Sequence, residues 1–254
     1  MPRFSANLGF LWTELSLPDA IRAAKANGFG AVELHWPYAT PAEEVRAALD
    51  ETGLPLLGLN TTRGDVAGGE NGLTALAGRE DEAWAAIEEA LAYASVTGAG
   101  AVHVMAGFAQ GAEAHATFVA ALKRAAPLAA EQGVTLLIEP LNRHDAPGYF
   151  LSTTDQAALI IEEVGAPNLK LMFDCYHVGR TEGDILTRAG SMRDIIGHVQ
   201  FAAVPSRGAP DHGELNYAEI FQGLAGIGFE GPLGAEYKPG GPTEPSLAWM
   251  AELG

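Results

Sequence analysis

Residues 130–139, AEQGVTLLIE, pass from the end of a helical pattern through Gly133 into a short apolar run that closes on a carboxylate. The same joint recurs at residues 24–34, AKANGFGAVEL, and at residues 94–104, ASVTGAGAVHV. A helix that stops at a glycine and leads straight into a strand is half of a βα unit. Its repetition predicts helices packed around a parallel sheet. Joints this short suit a barrel.

Outward from these joints, short apolar runs alternate with longer helical patterns along the chain. The strand candidates are residues 4–7, 31–34, 55–60, 101–105, 135–139, 169–174, 196–200 and 233–236. The helical patterns cover 17–27, 41–51, 80–97, 112–132, 155–164, 183–191, 217–226 and 244–252, with Thr40 expected to cap the second, Pro41 at its first helical position, and Pro127 a candidate kink in the fourth. Eight such units in 254 residues fit one α/β barrel, so the expected fold is a single (β/α)8 TIM barrel spanning 1–254. The loops that follow strands, at 61–79, 140–152 and 202–216, are long. In this architecture the loops at the strand C-termini build the active site.

Composition narrows the partners. Apolar residues make up 48% of the chain and charged residues 19%, enough for a large core. A formal charge of −17 opposes a phosphate backbone and an anionic membrane, so neither nucleic acid nor membrane is expected as a partner. The opening MPRFSANLGFLW meets polar residues before a signal-peptide core could form, and no apolar run reaches the roughly 18 residues of a membrane span; a cytoplasmic protein is expected. The single cysteine, Cys175, excludes an internal disulfide and a cysteine-rich metal site, and reads as an inert buried thiol. Homo-oligomerisation is left open.

Four polar residues end or directly follow the last four strand candidates: Glu139 in LLIEP, Asp174 in KLMFDCYH, Gln200 in HVQFA and Glu236 in GAEYKP. Strand C-termini converge on the barrel mouth, so these side chains can share one centre. Singly, each has a plainer reading as a helix cap, an ion-pair partner or a hydrogen-bonding amide. A shared ion explains why all four stand at equivalent positions. Three carboxylates and an amide oxygen form a hard donor set that suits one divalent metal ion, Mg or Mn, better than zinc.

These segments also carry a resemblance. RFSANLGFLW, GFGAVELHWPY, GDVAGGENGLTALAGRE, LLIEPLN, NLKLMFDCYH, GHVQFAAVPSRGAPDHGELNY and GAEYKP follow one another as in the hydroxypyruvate isomerase family, within the xylose-isomerase-like barrels. The resemblance implies that Glu139, Asp174, Gln200 and Glu236 ligate a metal, and that Glu139 and Glu236 also move protons. Gln200 stands where related ketose epimerases usually carry His. Two departures, FAAVPSR before the family's Pro-x-Arg and His103 in AVHVMAG, spare the metal residues and bear on substrate choice.

The expected reaction is the isomerisation of hydroxypyruvate to 2-hydroxy-3-oxopropanoate (tartronate semialdehyde) through an enediolate, with Glu139 and Glu236 as an interchangeable acid–base pair. The small hydroxy-carbonyl acid needs a cationic partner, and Arg207 in VPSRG is the first choice because a guanidinium binds a carboxylate in a bidentate manner. Lys238 and His177 are further substrate-binding candidates, His177 also as a hydrogen-bond partner of Asp174. Phe10, Trp12, Trp36 and Tyr38 are candidate lining, and loop 61–79, with Arg63 and Glu70, a candidate lid. The glycines of GDVAGGENG lack the spacing and Lys-Ser/Thr ending of a phosphate loop.

Three rival readings remain at this point. A 2-oxo-tetronate isomerase or ketose 3-epimerase would use the same metal and proton pair. A barrel phosphodiesterase acting on abasic DNA would need several metals and many His ligands, against only seven His and a net charge that repels DNA. A barrel that merely binds a sugar acid would not exchange carbon-bound hydrogen.

Overall fold

The computed structural model describes residues 3–254. Its strands are β1 (Phe4–Asn7), β2 (Ala31–Glu33), β3 (Gly58–Asn60), β4 (Ala101–His103), β5 (Thr135–Ile138), β6 (Leu169–Asp174), β7 (Ile196–Phe201) and β8 (Leu233–Ala235). All neighbouring pairs are parallel, in the order β2-β1-β8-β7-β6-β5-β4-β3. The ring is completed between β2 and β3 by an isolated bridge from Val32 to Leu56 and by Leu34 donating its amide to Gly58 O at 3.0 Å. The protein is a TIM barrel. Strands β2, β4, β5 and β8 stop a residue or two before the apolar runs end, because those ends enter the loops of the mouth, whereas β3 loses residues 55–57 at its start, where Leu56 forms only an isolated bridge.

Helices α1 (Leu17–Ala26), α2 (Ala42–Thr52), α3 (Glu80–Thr97), α4 (Gly111–Glu131) and α5 (Thr154–Val164) surround the first half of the barrel. The helix α1 begins at Ser16, whose hydroxyl accepts from the Asp19 amide, and α5 begins at Thr153, which caps Gln156 in the same way. Thr40 does not cap α2. Pro41 is the cap residue there, without a side-chain bond, since Thr40 closes the preceding 3-10 turn Pro37–Ala39. The helix α4 continues through Pro127.

The second half departs further from expectation. A short helix α6 (Cys175–Thr181) follows β6 directly, capped by Asp174, and α7 (Ile185–Met192) follows after a turn. After α8 (Tyr217–Gly226), the expected helix 244–252 is a 3-10 turn, Glu244–Leu247, and a last turn α9 (Met250–Leu253). Trp249 between them is fully buried, 4.8 Å from the Phe4 ring and 5.4 Å from Phe201, so the segment is held by aromatic packing rather than by helix propensity.

Register fixes what reaches the mouth. Between Leu171 and Met172 the β6–β7 ladder shifts by one residue, which sets Asp174 opposite Gln200. The extra residue is Gly197, where an added Cβ would lie 2.6 Å from Lys170 Cβ. Asn7 stands opposite Glu33 in the β1–β2 ladder. The lower barrel is loosely filled: a cavity of about 340 Å³ runs in among Gly58, Ala101, Leu137 and Met172 and ends beneath Glu33 and Gln200. The loop 61–79 is tied at its base, with the Thr61 amide on His103 O and the Ala75 amide on Ala106 O.

Candidate active site

Each strand carries one polar residue at or next to its C-terminal end: Asn7, Glu33, Asn60, His103, Glu139, Asp174, Gln200 and Glu236. All but Asn60 are buried. The tilt of the strands turns this ring inward, and Glu139, Asp174, His177 and Glu236 bring one ligand atom each within 4.8 Å of one another. Gln200 joins them through its amide nitrogen, 3.4 Å from Glu236 Oε1.

Glu236 is the most heavily bonded member. Its Oε1 accepts from Asn7 Nδ2 at 3.1 Å and stands 2.9 Å from His35 Nε2, while Oε2 pairs with Arg207. Burial works to raise its pKa, yet the Arg207 guanidinium and His35 prevail and hold the carboxyl below the usual range. Glu139 has the opposite setting. Burial, then the neighbouring Glu236 and Asp174 charges, push it well above the usual range, and the imidazole 3.7 Å away, His103, is itself kept neutral by burial, which lowers its pKa to about 4. Asp174 is pushed up to about 7, by burial first and then by Glu236.

Several atoms of the ring are buried and lack a hydrogen-bond partner: Glu139 Oε1, Asp174 Oδ2, Gln200 Oε1, His177 Nε2 and His103 Nε2. Native interiors pair such atoms, so a cluster of orphans at one point marks a place for an external partner. Three of them are hard oxygen donors, the coordination that Mg or Mn prefers. A divalent cation there would also offset the mutual repulsion of three buried carboxylates. The donor set fits the ion.

His177 does not belong to that donor set. The Asn142 backbone N–H donates to its Nδ1 at 3.0 Å, which places the imidazole proton on Nε2. Burial lowers its pKa to about 3, with Arg207 acting in the same direction, so the ring is neutral. The protonated Nε2 faces Glu139 and Asp174 as a donor. The expected hydrogen bond between His177 and Asp174 is not formed, since the atoms are 3.6 Å apart and Asn142 holds the ring instead.

Arg207 is in the left-handed backbone region at φ 55°, unusual for a residue with a Cβ. Two backbone bonds keep it there, Arg207 N to Ala203 O at 2.8 Å and Lys238 N to Arg207 O at 2.7 Å. Its guanidinium lies between the rings of Phe10 and Tyr176, 4.8 and 5.0 Å from their centroids. The Nε is buried and without a partner. Lys238 itself contributes only its backbone, because its side chain is exposed. Of the aromatic candidates, Phe10 and Trp36 pack against His35 beside Glu236. Trp12 is buried against Phe29 and bonds Glu244, and Tyr38 packs on Tyr93, so both are structural.

Asn7, Glu33 and His35 join the site beyond the residues that the sequence singles out. Asn7 and Glu33 carry the strand-end signal that revealed the other four residues, but they lie in the first two strands, where no second carboxylate drew attention to them. Cys175 is a buried free thiol. Among the described residues no helix is long and apolar enough to cross a membrane.

Residues 21–253 match the model of the family described as xylose isomerase-like TIM barrel. The 2-oxo-tetronate isomerase of Cupriavidus necator is 47% identical over 98% of both chains. The hydroxypyruvate isomerase of Escherichia coli K12 is 38% identical, again over 98% of both. Among solved structures, one described as an AP endonuclease, family 2, from Brucella melitensis superposes with a TM-score of 0.95 at 37% identity, covering 99% of each chain. These curated relatives are isomerases, and the chain is an isomerase-type enzyme resembling hydroxypyruvate isomerase.

Proposed function

This chain belongs to the xylose isomerase-like TIM barrel family, and from that premise we propose that it interconverts a 3-hydroxy-2-oxo acid and the corresponding 2-hydroxy-3-oxo acid, with hydroxypyruvate as substrate. The observation that carries the reading is the buried convergence of Glu139, Asp174, Gln200 and Glu236, the first three with an unpartnered oxygen each, beside an arginine whose Nε is also free. Glu139, Asp174, Gln200 and Glu236 hold one divalent ion, Mg or Mn. When bound, the ion polarises the substrate carbonyl and stabilises the negative charge that develops on its oxygen.

The protein residues carry the remaining steps. Arg207 receives the substrate carboxylate, and the flanking Phe10 and Tyr176 rings keep its planar fork in place. His177 Nε2–H is a second donor. One glutamate of the pair Glu139 and Glu236 takes the C3 hydrogen as a proton, and the C3–H electron pair becomes the C2=C3 bond of an enediolate. The other glutamate delivers a proton to C2, C3 becomes the carbonyl carbon, and the hydroxyl proton passes from O3 to O2. Neither a nicotinamide nor a nucleophilic serine is required.

A second reading, 2-oxo-tetronate as the substrate, is favoured by the relative of 47% identity. It needs the same chemistry on an acid one carbon longer. Proton NMR of purified protein with Mg or Mn distinguishes the two by the ratio of kcat/KM. Hydroxypyruvate turnover to tartronate semialdehyde supports the primary reading, faster conversion of 2-oxo-tetronate selects the second, and no conversion of either acid rejects both.

A further inference from the structure

The two ends of a glutamine amide are nearly equal in shape and opposite in hydrogen-bonding character. A Gln200 that turns its NH2 toward the ion would repel the cation, and one that turns its oxygen would bind it. Packing does not choose between them here, because the side chain borders the cavity of about 340 Å³ beneath the mouth. Glu33 does choose. Its Oε2 accepts from Gln200 Nε2 at 2.8 Å, and the same Nε2 stands 3.4 Å from Glu236 Oε1, so the NH2 is occupied and Gln200 Oε1 is left buried and unpartnered.

Glu33 is itself held from two sides. Ser5 Oγ donates to Oε1, and His198 Nε2 stands 3.0 Å from Oε2. Gly234 on the adjacent strand admits this contact, since a Cβ there would lie 2.4 Å from Glu33 Oε1 and 2.8 Å from Gln200 Cγ. We infer that Glu33 is a positioning residue of the ion site, engaging the Gln200 NH2 so that the amide oxygen stays free for an ion. Glu33 does not touch the substrate. The inference rests on the reading of Gln200 as a ligand.

Isothermal titration of the full-length chain with MnCl2 tests it, with circular dichroism to check the fold. Wild type should bind one ion, and Glu33→Gln should bind it roughly 10–100-fold more weakly, the usual cost of losing a group that orients a ligand. The exchange variant Glu33→Gln with Gln200→Glu should regain most of that affinity, because a carboxylate at 200 offers oxygen whichever way it turns and the new amide at 33 donates to it. A purely structural role for Glu33 would not be rescued in this way. Ser5→Ala should weaken binding several-fold, and it decides the matter if Glu33→Gln does not fold. Wild-type-like affinity in Glu33→Gln, or in Ser5→Ala where that variant decides, overturns the inference, as does an exchange variant as weak as folded Glu33→Gln. No Mn2+ binding by wild type would instead overturn the ion site itself.

Discussion

Arg207 and Glu236, 29 residues apart in sequence, pair inside the barrel mouth, with the arginine Nε left buried and free. In the proposed reaction, one guanidinium thus anchors a catalytic candidate and offers a donor to the substrate. Arg207→Leu should weaken acids more than uncharged hydroxy-carbonyl analogues, by about 2–5 kcal/mol for loss of one partner in a buried charge pair. Arg207→Lys should recover only part, since an ammonium cannot reproduce the planar fork. Equal losses for acids and neutral analogues, measured as kcat/KM, would leave Arg207 a structural role alone.

Metal removal should abolish turnover. Dialysis against a chelator, verified by elemental analysis, is expected to give inactive protein that Mg or Mn reactivates. Asp174→Ala should no longer retain the ion, because it removes the orphaned Oδ2 from the cluster. Full activity in protein free of metal would contradict the assignment.

His177 provides a test of its tautomer. With Nδ1 accepting from the Asn142 amide, Nε2 is a donor to the site and not a ligand. His177→Gln should therefore keep the metal stoichiometry of wild type and raise KM for the acid roughly tenfold, the loss of one hydrogen bond to a charged group. Loss of the ion in this variant, seen by elemental analysis, would make His177 a ligand after all.

How far the sequence reveals this molecule depends on which signals stay local. The joints through Gly28, Gly98 and Gly133 are contiguous in the chain, and they convey the barrel. Glu139, Asp174, Gln200 and Glu236 stand out because each closes an apolar run. Asn7 and Glu33 close such runs as well, but an asparagine and a lone glutamate have many ordinary uses, and their role depends on contacts with Glu236 and Gln200 across 229 and 167 residues. The tautomer of His177 depends on a backbone amide 35 residues away. Residues 244–252 have a helical apolar pattern, yet the burial of Trp249 among aromatic rings decides their shape.

That aromatic contact leads to a stability prediction. Trp249 is fully buried and donates its indole N–H to Tyr237 OH at 3.2 Å. Trp249→Ala should cost about 3–5 kcal/mol and lower Tm by roughly 6–20 °C. The ion site lies elsewhere, so Mn2+ should still bind the folded variant. A melting temperature unchanged by calorimetry would refute the anchoring of the C-terminal segment.

The central claim is that Glu139 and Glu236 transfer a proton on opposite sides of one enediolate. The most direct measurement is proton NMR of hydroxypyruvate in deuterated water with metal-loaded wild type, Glu139→Gln and Glu236→Gln. Each amide keeps an oxygen for the ion but cannot accept and return a proton. Both variants should fail to form product, one still exchanging the C3 hydrogen with solvent and the other not, and the pattern should reverse when the reaction starts from tartronate semialdehyde. Near-normal turnover in both variants with the ion retained would contradict the account.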